Sequence, residues 1–399
     1  MLKLQLNSGR WDISFGSGIS LSHSKEKPFA SIVYRETVSV TERKRTFNKI
    51  IESKRIPLSD IKTAGLDTLI FSGDGHKLTI RFRENQYGVE LAFSGEESLP
   101  YEFSIPAFEG EAVFGGGLHE RLKLGSCELY DAENKIIPIF TTDRCRLIMF
   151  GTAGESYASF GPDAYLFGFD SCPRGAVILK GDSYAGLCGF MNTLMPYREF
   201  AAARSSDAYS LKDCFSLAFS GVSTAEIKEP ELYSSILKSR KRSELIHRVE
   251  ISCFSLNNDI YIPSAAAEDK KLKEYISKLS DIHCRLLPYL QHCREKAAAG
   301  IPQIRPDFWE STAYTSSHDA YSYFLGDDLF VSPDVEKGSR KKLVYLPAGT
   351  WVLLWTGEEY EGPAPYTIEA PLGSCPVFYR KGSEYEELFK GFSIGSAQT

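Results

Sequence analysis

The chain has 399 residues with 43% hydrophobic content, enough for a large core and for two or three domains. Its 46 basic and 52 acidic residues are mixed along the chain, with no Lys/Arg stripe and no acidic tail, which excludes nucleic acid and anionic membrane as expected partners. No run of about 18 apolar residues occurs, so no membrane-spanning helix is expected.

Met1 to Asn7 alternates apolar and polar residues as a strand does and lacks the apolar stretch of a signal peptide. From residue 1 to about 225, short alternating segments are punctuated by Gly, Pro, Asp and Ser. Residues 31–35, 78–82, 88–93 and 146–150 each read as a strand, and this density predicts a β-sandwich. The Gly115-Gly116-Gly117 run reads as a turn, because no helix pattern and no Gly-Lys-Ser/Thr follows it.

One long helix is expected from about Glu268 to Ala299. Leu272, Tyr275, Ile276, Leu279, Ile282, Leu286 and Tyr289 recur at three- and four-residue steps. Pro288 should kink or restart it, and Gly300-Ile301-Pro302 should close it. Beyond it, residues 343–346, 350–355, 366–368 and 376–379 predict a second, smaller β-domain. The nine cysteines are odd in number and scattered singly from Cys127 to Cys375, with no Cys-x-x-Cys and no His/Cys cluster. That usage leads us to expect reduced thiols, a cytoplasmic location, no metal and no cofactor.

The C-terminal third carries the most specific pattern. Arg285-Leu286-Leu287-Pro288-Tyr289-Leu290, Gly300-Ile301-Pro302, Arg305-Pro306, Gly326-Asp327-Asp328-Leu329-Phe330-Val331-Ser332-Pro333, Val344 to Trp351 and Trp355-Thr356-Gly357 follow in order. In this order and spacing they resemble the end of the catalytic barrel and the proximal C-terminal domain of glycoside hydrolase family 31, the α-glucosidase and α-xylosidase family. Phe114 to Glu120, Leu129 to Glu133 and Pro138 to Phe140 are similar to the Gly-rich turn and substrate-facing loop of that family's β-sandwich. Gly221 to Ile227 looks like the entrance to the barrel, and Ser243 to Phe254 like its last helix-to-strand step.

The resemblance implies a mainly β protein: an N-terminal β-sandwich over 1–225, a short helical remnant of a (β/α)8 barrel over 226–300, and a C-terminal β-domain over 301–399. A complete barrel takes about 250 residues, whereas about 75 separate Glu226 from Gly300. Family members cleave with two barrel aspartates, a nucleophile and a general acid, and retaining pairs in general stand about 5–5.5 Å apart. No Asp-Met-Asn-Glu-like nucleophile string occurs here, so no catalytic residue is assigned.

The resemblance leaves Asp131 and Glu133, in the loop after the Gly-rich turn, and Asp259, after the expected last barrel strand, as substrate-binding candidates. Solvated loop and turn residues explain all three as well. His119 reads equally as an exposed turn histidine. Asp327 and Asp328 fall in a structural turn of the family's C-terminal domain, and Trp309, Trp351 and Trp355 read as core packing rather than as a sugar-stacking surface.

Three functions remain open on these grounds. The chain is a truncated, non-catalytic relative that keeps some carbohydrate binding; or an active α-glycosidase whose site is rebuilt from Asp131, Glu133 or Asp259, across a homodimer in one version; or a docking or regulatory subunit of a full-length homologue. The expected partners are an α-glycoside and a second copy or a homologue of this chain.

Overall fold

The computed structural model describes the chain except residues 1–2, 8–9, 16–18, 43–44, 118–123, 125–127, 131–135, 152–155, 195–207, 210, 221–225, 228–241, 257–268, 311–320, 334–339 and 393–399. It divides into two compact units, one of Met1–His119 with Lys123–Asp182 and one of Glu120–Leu122 with Ser183–Thr399.

The first unit is a β-sandwich. Its eight-stranded sheet runs in the order Val113–Gly117, Ile136–Thr142, Arg146–Gly151, Gly175–Lys180, Gly88–Ser94, His76–Asn85, Thr68–Gly73 and Asp60–Thr63. The six-stranded sheet runs Glu128–Tyr130, Ser156–Phe160, Ala164–Phe169, Tyr101–Pro106, Ala30–Glu42 and Arg45–Pro57. A three-stranded sheet of Lys3–Asn7, Arg10–Ser14 and Ser20–Ser24 accompanies them.

Period-2 alternation explains the layers, since successive side chains point to opposite faces of a strand. In His76–Asn85, Leu78, Ile80 and Phe82 are buried while Lys77, Arg81 and Arg83 lie outward. Aromatic pairs then join the two sheets. Phe93 stacks on Phe103 at 4.5 Å, Phe150 meets Phe169 at 4.9 Å, and Phe140 meets Phe160 at 5.2 Å. Such pairs add about 0.5–1.5 kcal/mol each beyond the area they bury.

The expected Gly-rich turn is instead a bulged strand. Gly115, Gly116 and Gly117 hold φ of 96°, 82° and 87° within Val113–Gly117, and the register against Ile136–Thr142 slips between Gly115 and Gly117. Glycine can occupy this left-handed region without a Cβ penalty, so a buried strand is able to bulge there.

The sandwich strands end at Lys180, and the unit boundary falls after Asp182 rather than near residue 225. Helices Tyr184–Leu194 and Leu211–Phe219 follow and belong to the second unit. In the first, Tyr184, Leu187, Cys188 and Met191 are buried at helical steps while Ala185 and Gly189 are exposed; in the second, Cys214, Phe215, Leu217, Ala218 and Phe219 are too densely buried to show a stripe.

Arg242–Cys253 is a single helix, not a helix-to-strand step. Val249 to Phe254 is buried throughout, and such a continuous run fits a buried helix as well as a strand. The helix packs on the long Lys270–Ala298 helix through Ile246 and Leu272, and its Cys253 thiol donates to the Leu279 carbonyl at 3.2 Å.

The long helix passes through Pro288 without a break. Its end is a Schellman motif: Gly300, at φ 86°, donates to Ala297, and Ile301 donates to Lys296 at 3.0 Å. At its start the Asp269 carboxylate accepts from the Lys271 and Leu272 backbone N–H groups at 3.0 and 3.2 Å. Asp269→Ala should therefore cost about 1 kcal/mol and Asp269→Asn little, read from urea midpoints. Equal midpoints for all three proteins would remove the cap from the account.

The smaller β-domain is one antiparallel sheet in the order Ile304–Pro306, Tyr323–Leu325, Leu329–Val331, Val377–Arg380, Lys341–Leu353 and Glu359–Glu369. Trp309, Trp351 and Trp355 are buried, as their strand and turn positions imply. Among the described residues no helix is long and apolar enough to cross a membrane.

Candidate functional site

The three sequence candidates, Asp131, Glu133 and Asp259, and also His119, lie outside the described residues. The chemistry on view is in the buried and half-buried charged groups of each unit.

In the sandwich, Glu111 and Arg146 form a buried ion pair, with side chains 0% and 7% exposed. Arg146 Nε donates to Glu111 Oε1 at 3.0 Å, Tyr165 Oη donates to Oε2 at 2.8 Å, and the guanidinium lies 4.4 Å from the Phe108 ring centroid. Burial pushes the Glu111 carboxyl up, but Arg146 outweighs this and holds it below the usual glutamate range. Glu102 is likewise buried and shared by Arg35 and Arg55, the latter at 2.7 Å. Arg35 reaches it along Gly168, where any Cβ would meet the guanidinium, and lies 4.2 Å from the Tyr157 ring centroid.

In the second unit, Asp327 lies in the turn between two sheet strands. Burial raises its carboxyl, while Arg305 at 3.0 Å and Lys296 at 2.5 Å hold it below the usual range. The adjacent Asp328 has its carboxyl raised by burial, and its backbone N–H donates to Tyr289 Oη at 3.1 Å. The turn is thus a structural clasp between the long helix and the sheet, as the sequence reading holds. Glu250 is 1% exposed; one oxygen meets His247 Nδ1 at 2.9 Å and the other has no hydrogen-bond partner.

Glycosidic cleavage by a carboxyl pair needs one member ionised and the other protonated, both facing a bound sugar. Glu102, Glu111 and Asp327 are each neutralised by arginine, which suits structural ion pairs and not a general acid. Among the described residues no group of three or more His, Cys, Asp or Glu is placed to hold a metal ion. These ion pairs were invisible in the sequence, since Glu111 and Arg146 stand 35 residues apart and carry no motif.

The fold and these clasps define a protein of two β-rich units, the second closed by a six-stranded domain. Residues 300–383 match the family model of the glycosyl hydrolase family 31 C-terminal domain. Over these residues the chain is thus similar to the family 31 glycosidases.

Over 124 residues the chain is 37% identical to a sulfoquinovosidase of Escherichia coli (strain K12), and over 116 residues 31% identical to alpha-glucosidase 2 of Bacillus thermoamyloliquefaciens. These matches take in 30% and 29% of this chain but only 18% and 15% of those relatives' length. Among solved structures, a GH31 sulfoquinovosidase from E. rectale in complex with an aza-sugar inhibitor superposes with a TM-score of 0.73 at 14% identity. That match covers 98% of this chain and 99% of the other. A GH31 α-xylosidase from a soil metagenome, complexed with xylose, gives 0.57 at 10% identity, covering 97% and 100%. At such identities the likeness is one of fold.

Proposed function

We propose that the chain is a non-catalytic, internally shortened relative of the family 31 α-glycosidases that retains carbohydrate binding. One observation carries this reading. Between Ile227 and Ile304 the described residues form two helices and no strand, where a (β/α)8 barrel would have to alternate strands with helices over about 250 residues. Among the described residues, therefore, nothing holds two carboxyl groups on opposite sides of an anomeric carbon. The neutralised states of Glu102, Glu111 and Asp327 support the same reading, because none of them is free to donate a proton or attack.

The test is turnover of p-nitrophenyl α-glucoside and α-xyloside by purified protein of verified sequence. We expect none above buffer. Saturable turnover that is lost in Asp131→Asn, Glu133→Gln or Asp259→Asn would replace this reading with an α-glycosidase whose site is rebuilt from those residues.

A further inference from the structure

No further inference is drawn: the strongest candidate, the side-chain cluster in the groove beside the long helix where the half-buried Lys278 amine lies between Ser374 Oγ and the Trp355 ring, is set apart only by a lysine pKa that burial lowers, and no second group there points to a substrate or an acyl donor.

Discussion

Replacing Arg146 with Met is expected to destabilise the sandwich unit by about 3–5 kcal/mol at pH 7, because it leaves the Glu111 carboxylate buried without its cation. The Glu111 side chain is fully enclosed, so solvent does not screen the loss, and only neutral donors remain, among them Tyr165 Oη at 2.8 Å and the Phe108 backbone N–H at 3.2 Å. The pH dependence gives the effect a sign. In the wild-type protein the folded carboxyl titrates below its unfolded value, so its contribution is complete above the usual glutamate range and is lost as pH falls through the folded pKa.

In Arg146→Met, burial without a cation should raise that pKa instead, so the variant recovers stability as Glu111 takes up a proton. The gap between wild type and variant, read from urea midpoints, should therefore be widest at pH 7 and narrower at pH 4. A gap of equal size at both values would show that lost packing over Phe108, not charge, is what the substitution removes.

Gly326→Ala should cost about 2–4 kcal/mol in the second unit, against about 1 kcal/mol for Gly357→Ala. Both glycines hold positive φ, 65° and 76°, so both substitutions carry the left-handed strain of an L-residue. At Gly357 a Cβ would meet nothing within 4 Å. At Gly326 it would lie 2.2 Å from Tyr289 Oη and 2.6 Å from Cys293 Sγ. The tyrosine cannot yield, since its hydroxyl donates to the Leu325 carbonyl at 2.6 Å and accepts from the Asp328 N–H, tying helix to sheet. Urea denaturation of both variants decides the matter. Equal losses would mean that the helix moves aside and that the clasp is not rigid.

The elements legible in advance are those whose burial is one-sided. The long helix was readable because Leu272, Leu279, Ile282, Leu286 and Tyr289 are buried while Lys271, Lys273 and Asp281 face outward, and its end because Gly300 alone suits the φ of a Schellman turn. Strands such as His76–Asn85 showed themselves in the same way, by alternation. Helix Tyr184–Leu194 was obscured although Tyr184, Leu187, Cys188 and Met191 form a stripe, because Gly186 and Gly189 weaken its helix pattern. Helix Leu211–Phe219 was hidden because Cys214, Phe215, Leu217, Ala218 and Phe219 are all buried, which erases the contrast between period 3.6 and period 2. The same loss of contrast hid the helical state of Val249 to Cys253.

By itself the sequence determined the β-rich class, the long helix, the C-terminal domain's motifs and the relation to the family 31 glycosidases, because these depend on residue patterns that neighbours along the chain impose. Tertiary structure alone decided where the units divide, which carboxylates are neutralised by arginine and which face of the long helix borders a groove. Those outcomes come from residues tens of positions apart meeting in space: Arg146 reaches Glu111, Asp327 reaches Lys296 and Arg305, and Trp355 faces Lys278. No spacing along the chain encodes such meetings, since the energy that selects them appears only once the layers have packed.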